Sequence, residues 1–253
     1  MDRLAFNAVA AINEQRVSRQ VTANELANVS TPGFKRSYEV AMQAIKAEGA
    51  GLETRMQPKS VTRDVIALKP GAIMATGRDL DVALNGQAVL GVSTRDGKLA
   101  FTRRGDLQVT ASGVLQNGSG FAVRGEGGQP ITVPPNGRIS INPDGSIYAN
   151  NPAQPAEPGV LVGRLLMRDA SQTTLVRRED GLFQVEGQEG ADITNGTERV
   201  SLTSRALEGS NVNAMEIMIK LMDQARTFEQ QVRIIKESKS GDEAGASMLK
   251  LSS

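Results

Sequence analysis

Short turn-forming pairs that contain glycine recur through the middle of the chain and limit what that region can fold into. Glycine accepts backbone angles that other residues avoid, so such pairs end helices and strands. The pairs are Asp96-Gly97, Gly105-Asp106, Ser112-Gly113, Asn117-Gly118, Asp144-Gly145, Asp180-Gly181 and Asn195-Gly196. Several lie about eight residues apart, and segments between them, such as residues 107–110 and 138–142, alternate apolar and polar side chains. We therefore predict an all-β domain over residues 79–206.

The two ends of the chain are instead predicted to be helical. Residues 2 to 29 contain no Gly or Pro, and a Pro-Gly pair follows shortly after them. Gly33 of that pair is expected to have a positive φ, and the turn is expected to belong with the helices rather than with the β domain. Asn213 is placed to cap a second helix over residues 213–239, which Gly241 is expected to end.

Both predicted helices need a partner, because isolated helices are marginally stable in water. We predict an α+β fold in which the long N- and C-terminal helices pair as a coiled-coil-like core domain, with the all-β domain inserted between them. Residues 1–36 and 207–253 form the core domain, residues 37–78 an extended connector, and residues 79–206 the outer β domain. The patterns leave open whether the helices pair within one chain or with neighbouring chains.

Composition excludes several classes of chemistry. The chain has no His and no Cys, which excludes His-dependent hydrolases, thiolate nucleophiles, thiolate zinc sites and disulfides. The 29 Lys and Arg nearly balance the 28 Asp and Glu, and a net charge of +1 argues against a nucleic-acid partner. The carboxylate pairs Asp79 with Asp81 and Glu179 with Asp180 lie in turn and strand positions that favour a structural role. We predict no enzyme, no catalytic residue, no cofactor and no metal.

The chain shows no pattern typical of a membrane or secretory segment. No apolar run reaches the about 18 residues that a membrane-spanning helix needs. The first apolar stretch is broken by Asn13 and Glu14, unlike the apolar block of a secretory signal. We therefore expect no direct membrane insertion, and export, if it occurs, by a route that does not read such a signal.

Two motifs near the ends of the chain resemble those of a known family. The first lies within Thr-Ala-Asn-Glu-Leu-Ala-Asn-Val-Ser-Thr-Pro-Gly-Phe-Lys at residues 22–35, and the second within Leu-Glu-Gly-Ser-Asn-Val-Asn at residues 207–213. Both resemble signatures of the bacterial flagellar axial proteins, the rod and hook family, and the resemblance extends through the middle of the chain. The motif residues are Asn24, Leu26, Ala27, Asn28, Thr31, Pro32, Gly33 and Phe34, and then Leu207, Glu208, Ser210, Asn211 and Val212.

Details of the motifs point to one branch of that family. The second motif, and the Arg-x-Phe-Glu sequence that begins at Arg226, are most similar to proximal-rod members. Distal-rod members are the alternative, and they more usually have Thr or Ser in place of Gly209 and Tyr in place of Phe228. Glu25 departs from the family pattern, which commonly has Asn there.

The resemblance implies a structural subunit of the proximal rod that assembles helically around the export channel and transmits torque from motor to hook. Its expected partners are copies of itself, other proximal- and distal-rod proteins and the flagellar type III export apparatus. The expected location is the rod in the periplasmic space, reached without a cleaved signal peptide. Subunit contacts are expected at Leu4, Ala8, Ile12, Leu26, Val29, Phe34, Met218, Met222, Ala225, Phe228, Val232 and Ile235.

Two functions of other classes stay open on the residues alone. The β domain would act as a carbohydrate- or peptide-binding module if the helices served only to dimerise it. A carboxylate hydrolase would need Asp79 or Asp81 held in a cleft as an acid or base.

Overall fold

The structure, a computed structural model, describes residues 2–38, 41–46, 56–61, 64–134, 137–151, 158–194 and 196–251. Within these residues the chain forms two helices, α1 (Asp2–Ala27) and α2 (Ala214–Leu251), and eighteen strands. The strands are β1 (Ser37–Tyr38), β2 (Ala41–Lys46), β3 (Met56–Val61), β4 (Val65–Ile66), β5 (Ile73–Ala75), β6 (Val82–Leu84), β7 (Ala88–Ser93), β8 (Leu99–Thr102), β9 (Leu107–Val109), β10 (Leu115–Asn117), β11 (Arg138–Ile141), β12 (Ser146–Asn150), β13 (Val160–Arg164), β14 (Met167–Asp169), β15 (Leu175–Arg177), β16 (Phe183–Val185), β17 (Leu202–Ser204) and β18 (Ala206–Glu208).

The chain divides into two compact units. Unit 1 comprises Met1–Ala27, Glu39–Arg63 and Asn213–Ser253, and unit 2 comprises Asn28–Tyr38 and Asp64–Val212. Unit 1 therefore combines both helices with the antiparallel hairpin of β2 and β3. The stretch 37–78, expected as one connector, contributes to both units.

Local signals set the start of α2. The backbone N–H groups of Met215 and Glu216 donate to Asn213 Oδ1 over 3.0 and 3.4 Å, so the predicted cap at Asn213 is confirmed. None of the helices that the structure describes is long and apolar enough to cross a membrane.

The predicted end of α2 at Gly241 is wrong, because the helix continues to Leu251. One Gly lowers helix stability by about 1 kcal/mol relative to Ala, which by itself is too little to end a long helix. Lys239 Nζ lies 3.7 Å from Glu243 Oε1, so an ion pair one helical turn long spans the glycine.

The predicted fold class, an α+β fold built on a coiled-coil-like pair of long terminal helices, is wrong. The chain consists mostly of strands in sheets, and both clusters of buried apolar side chains lie in unit 2. Where α1 and α2 meet, hydrogen bonds join polar groups of the two helices. Gln15 Nε2 donates to Gln224 O over 2.9 Å, and Gln224 Nε2 donates to Ser18 Oγ over 3.1 Å. A coiled coil needs an apolar seam at these positions.

The helices lack an apolar seam because of the residues that recur every seven positions on the side of α2 that faces α1. Gln224 is on that side, and Ile217 and Gln231 lie seven residues before and after it. Ile217 is fully buried, but Gln224 and Gln231 place amides where a coiled coil would have apolar side chains. Met218 and Met222, which are predicted subunit contacts, lie on the other side of α2 and are exposed.

Unit 2 is built from antiparallel sheets. The largest has seven strands in the order β1-β4-β15-β16-β8-β7-β14, and β11, β12 and β13 form a three-stranded sheet. The remaining pairs are β9 with β10, β6 with β17, and β5 with β18. Gly97, Gly113, Gly145 and Gly181 have positive φ, as the turn pairs that contain them predict.

Two apolar clusters stabilise unit 2. Leu107, Leu115 and Ile147 are fully buried in the larger cluster, and Phe101 is fully buried in the second. Burying a side chain of this size contributes about 1.5–3 kcal/mol. Ile66, from the expected connector, is buried in the second cluster, so this part of the stretch folds with the sheet.

Candidate assembly surface

The two sequence motifs meet in unit 2. Gly33 N donates to Glu208 O over 2.7 Å, and Asn211 N donates to Phe34 O over 3.3 Å. The Arg36 backbone N–H donates to Asn211 Oδ1 over 2.7 Å. Residues from opposite ends of the chain therefore form one structure. We call it the motif junction, and it comprises residues 33–36 and 208–211 together with Gly71 and Arg103.

The carboxylate of Glu208 is the centre of the motif junction. Oε1 accepts from Lys35 Nζ over 2.7 Å and from Gly71 N over 2.9 Å, and Oε2 accepts from Arg103 Nε over 2.7 Å. The side chains of Lys35, Arg103 and Glu208 are at most 1% exposed. Burial lowers the pKa of Lys35, although the hydrogen bond and charge of Glu208 oppose this shift. Two buried cations share one carboxylate.

Each nitrogen of the Arg103 guanidinium donates at least one hydrogen bond, including Nε to Glu208. Its Nη1 donates to the carbonyl oxygens of Gly86 and Ala88, each over 2.8 Å, and its Nη2 donates to Leu84 O over 2.6 Å. A buried guanidinium is tolerated when each of its nitrogens is hydrogen-bonded and a carboxylate balances its charge. Arg103 therefore ties the connection between β6 and β7 to Glu208.

The turn at Gly33 is part of the motif junction. Gly33 has φ 67°, which confirms the predicted positive φ. A Cβ atom at this position would lie 2.3 Å from Arg103 O, so the backbone contact leaves room for glycine alone. The prediction that this turn is independent of the β region does not hold, because the turn packs directly on the backbone at Arg103.

Phe34 is held by an arginine of β15. The Arg177 guanidinium carbon lies 4.5 Å from the centre of the Phe34 ring, and Arg177 Nη2 donates to Lys35 O. A cation over an aromatic face is attracted by the ring. Phe34, predicted as a subunit contact, therefore packs within unit 2.

Unit 1 exposes apolar side chains on one side of α2. Met215, Met218, Ile219 and Met222 are 67, 48, 58 and 58% exposed, and we call this set the α2 apolar face. At about 100° per residue, the four side chains fall within an arc of about 100° of the helix circumference. That arc lies opposite Ile217 and Gln224. The face is therefore free for contact in the single chain.

The other predicted contact residues lie in several environments. Phe228 is beside α1, where the Arg19 guanidinium carbon lies 5.0 Å from the ring centre. Ala225 is exposed, and the half-buried residues are Ile12, Leu26, Val29, Val232 and Ile235. The side chains of Leu4 and Ala8 lie outside the described residues.

The carboxylates considered for catalysis are held by arginines. Asp79 accepts from Arg138 Nε over 3.0 Å and from Arg205 Nε over 2.8 Å, and these bonds lower its pKa. Asp180 pairs with Arg178 over 3.2 Å. A general acid at neutral pH needs the opposite shift. Within the described part of the chain, no group of three or more acidic residues is placed to bind a metal.

Comparison with known proteins decides the family. The model "Flagellar hook protein FlgE/F/G D1 domain" matches residues 83–149, and "Flagellar basal body rod FlgEFG protein C-terminal" matches residues 203–248. The chain is 37% identical to the flagellar basal-body rod protein FlgF of Escherichia coli, over 97% of this chain and 96% of that protein. The chain belongs to the flagellar rod and hook family.

Further relatives agree with this membership. The Salmonella typhimurium FlgF is 35% identical over 93% of each chain. A FlgG from Buchnera aphidicola of Acyrthosiphon pisum is 30% identical over 86% of this chain and 88% of the relative. The chain is a structural subunit of the flagellar basal-body rod and not an enzyme, it is located in the basal body, and it assembles with other rod and hook subunits.

The family motifs map onto the motif junction and its surroundings. Val212 is buried, and its N–H donates to Ser210 Oγ over 3.2 Å. Thr31 Oγ1 donates to Asn28 Oδ1 over 3.2 Å in the turn after α1. Pro32 and Leu207 are half-buried, while Asn24 and Ala27 are exposed near the end of α1.

Sequence reasoning missed Arg103 and Gly71, and it placed Met215 and Ile219 on the apolar side of α2 without naming them as subunit contacts. Arg103 follows an apolar strand and precedes another Arg, and nothing in that pattern distinguishes a buried arginine from an exposed one. Met215 and Ile219 carried a usable signal, because they lie three or four residues from Met218 or Met222.

Proposed function

We propose that the chain is a subunit of the proximal rod and that the α2 apolar face is a main contact with neighbouring rod subunits. The exposure of Met215, Met218, Ile219 and Met222 carries this proposal. Apolar surface in water is unfavourable by about 25 cal/mol per Å², and contact with another subunit recovers that free energy. Contiguous exposed apolar surface is typical of protein interaction sites.

The predicted contacts on α1 supply a second surface in this proposal. A rod grows through heterologous contacts, in which one surface of a subunit meets a different surface of the next. We assign Leu4, Ala8, Ile12 and Leu26 to that second surface. Of the remaining predicted residues of α2, Ala225 and Val232 border the α2 apolar face, whereas Phe228 and Ile235 lie on the side toward α1. Val29 and Phe34 belong to unit 2.

The domain roles follow from the same assignment. Residues 1–36 and 207–253 contain the proposed subunit contacts, and residues 79–206 form a β domain that folds around its own apolar clusters. Assembled helically around the export channel, such subunits transmit torque from motor to hook. Rod stiffness then depends on the number of subunit contacts rather than on any one of them.

The proposed route is export through the flagellar type III apparatus without a cleaved signal peptide, followed by assembly in the periplasmic space. Proximal-rod identity is favoured over distal-rod identity by the higher similarity to the two FlgF relatives, at 37 and 35%, than to the FlgG relative, at 30%.

The contact role is tested with Met222→Asp in a strain that lacks the chromosomal gene for this chain. A charge without a partner in an apolar contact is strongly unfavourable, so we expect the variant to be exported but absent from isolated basal bodies. Met74→Asp is the matched control, since Met74 is 51% exposed but lies in unit 2. Normal incorporation of Met222→Asp would show that the α2 apolar face is not a subunit contact.

The proximal position is tested in the deletion strain itself. If this chain forms part of the proximal rod, its absence prevents distal-rod subunits from adding, and isolated basal bodies lack both. Distal-rod subunits present on basal bodies of the deletion strain would contradict the proximal assignment while leaving the family unchanged.

A further inference from the structure

We propose that Met215, Met218 and Met222 form an oxidisable methionine cluster, and that their conversion to sulfoxides by a peroxide blocks assembly of the free subunit. The inference rests on the proposed function, because it requires that the α2 apolar face contacts a neighbouring subunit. It adds a modification site and a chemical sensitivity to that contact.

Position and exposure distinguish this cluster. Met215, Met218 and Met222 are separated by three and four residues, so their thioethers lie along one side of α2. Their exposures of 67, 48 and 58% make these side chains accessible to a dissolved oxidant. Met167 is only 5% exposed and Met74 is 51% exposed, and both lie in unit 2. The chain therefore contains a buried and an exposed internal reference.

The reaction is an oxygen transfer from the peroxide to sulfur. A sulfur lone pair attacks one peroxide oxygen, the O–O bond breaks and a new S–O bond forms. The sulfur loses two electrons and the peroxide is reduced by two electrons. With hydrogen peroxide, the proton on the transferred oxygen passes to the leaving hydroxide, which departs as water. The product is a polar methionine sulfoxide in place of a flexible apolar side chain.

The consequence depends on whether the subunit is free or assembled. In the free chain the cluster is exposed, and each sulfoxide places a strong hydrogen-bond acceptor on the α2 apolar face. Burying such an acceptor without a donor lowers the contact equilibrium about fivefold or more for each sulfoxide. In an assembled rod the neighbouring subunit covers the thioethers, so oxidation there is slow.

The first experiment maps oxidation by hydrogen peroxide on the full-length free chain and on isolated basal bodies, with peptide mass spectrometry of each methionine. In the free chain we expect the cluster and Met74 to oxidise much faster than Met167. In basal bodies we expect the cluster to oxidise about tenfold more slowly than in the free chain, as burial at a contact requires. Equal rates in both samples would overturn the proposal.

The second experiment measures incorporation. Oxidised and untreated chains are compared for binding to isolated basal bodies that lack this subunit, and each variant is compared with its own untreated sample. We expect oxidation to reduce incorporation of the natural chain and of Met74→Leu at least about fivefold. The triple variant Met215→Leu, Met218→Leu and Met222→Leu keeps apolar side chains that peroxide does not oxidise. Its ratio of incorporation after oxidation to incorporation before oxidation should therefore stay near one.

Met222→Asp separates the two proposals. If Met222→Asp fails to bind but the oxidised chain binds normally, the oxidation proposal is wrong and the contact role stands. If Met222→Asp binds normally, the contact role is wrong. If oxidation reduces incorporation of the triple Leu variant as much as that of the natural chain, damage occurs elsewhere and the cluster is not responsible.

Discussion

Replacing Glu208 by Ala removes the carboxylate that Lys35 and Arg103 share in the motif junction. Both cations stay buried without an anion, and Gly71 N loses its acceptor. Removing one partner of a buried ion pair costs about 3–5 kcal/mol. Because two cations lose the same partner here, we expect Glu208→Ala to lower the free energy of unfolding of unit 2 by about 5 kcal/mol, a large part of the stability of an ordinary domain.

The measurement is urea unfolding of the full-length chain, monitored by circular dichroism at a wavelength where β strands contribute to the signal. Glu189→Ala is the matched control, because Glu189 also pairs with one Lys and one Arg, at 3.1 Å from Lys98 Nζ and 3.0 Å from Arg178 Nη1, but on the surface. Exposed ion pairs contribute little, so this control should unfold almost like the natural chain. A loss for Glu208→Ala no larger than the loss for Glu189→Ala would refute the argument.

A second variant covers the case in which Glu208→Ala does not fold. Lys35→Met removes one cation and leaves Arg103 and Glu208 as a neutral pair in contact. Methionine also fills much of the volume of the lysine side chain. We therefore expect Lys35→Met to fold and to lose clearly less stability than Glu208→Ala. The opposite order would mean that packing, rather than charge balance, governs this site.

The remaining predictions concern the same unit. Gly33→Ala should lower the free energy of unfolding by more than the about 1–3 kcal/mol that a positive φ alone costs, because the added Cβ would also meet the Arg103 carbonyl. Gly97→Ala, which has a positive φ but open space around it, should lose no more than that cost in the same urea assay. Burial acts to raise the pKa of Asp169, but hydrogen bonds from Glu198, Ser171 and Thr197 outweigh it and lower that pKa. The ionised carboxylate therefore stabilises the fold above the unfolded pKa, and this stabilisation is lost as pH falls through the folded pKa. Asp169→Asn should have a lower free energy of unfolding than the natural chain at neutral pH, and the two values should converge in acid. Because the pKa of Lys35 is lowered in the folded chain, the unfolded chain binds more protons than the folded chain between the folded pKa and the ordinary lysine value. The free energy of unfolding should therefore rise with pH across that interval. Lys35→Met should abolish this rise when unfolding is compared at neutral and alkaline pH.

Local features of the fold were accessible from the sequence because they depend on neighbouring residues. The Asn213 cap and the positive φ of Gly33 each follow from one residue type at a chain turn, and both are present. The end of α2 was not accessible by the same rule, because a glycine inside a helix costs only about 1 kcal/mol and does not by itself set the helix end.

The pairing of the helices could not be predicted, because it depends on which side of α2 faces α1. An apolar stripe shows that a surface can be buried, but it does not identify the element that buries it. Gln224 turns toward Gln15 and Ser18, and the methionines face away. A heptad count through Ile217 passes through the amides at Gln224 and Gln231, but the sequence does not show that this side, rather than the methionine side, faces α1.

The motif junction and the proposed contact surface differ in how much they require of the sequence. A buried carboxylate that accepts from Lys35, Arg103 and Gly71 needs each residue type at one position, because a substitution leaves a charge or a donor without its partner. An apolar contact needs only suitable volume and hydrophobicity, and Met or Leu serve similarly. The residues of a buried polar site such as the motif junction therefore form a recognisable motif. The residues of an apolar contact such as the α2 apolar face form only a pattern of spacing. The motifs of this chain therefore identify the family through the folding of unit 2, and the surface that we propose for assembly is found from exposure on α2.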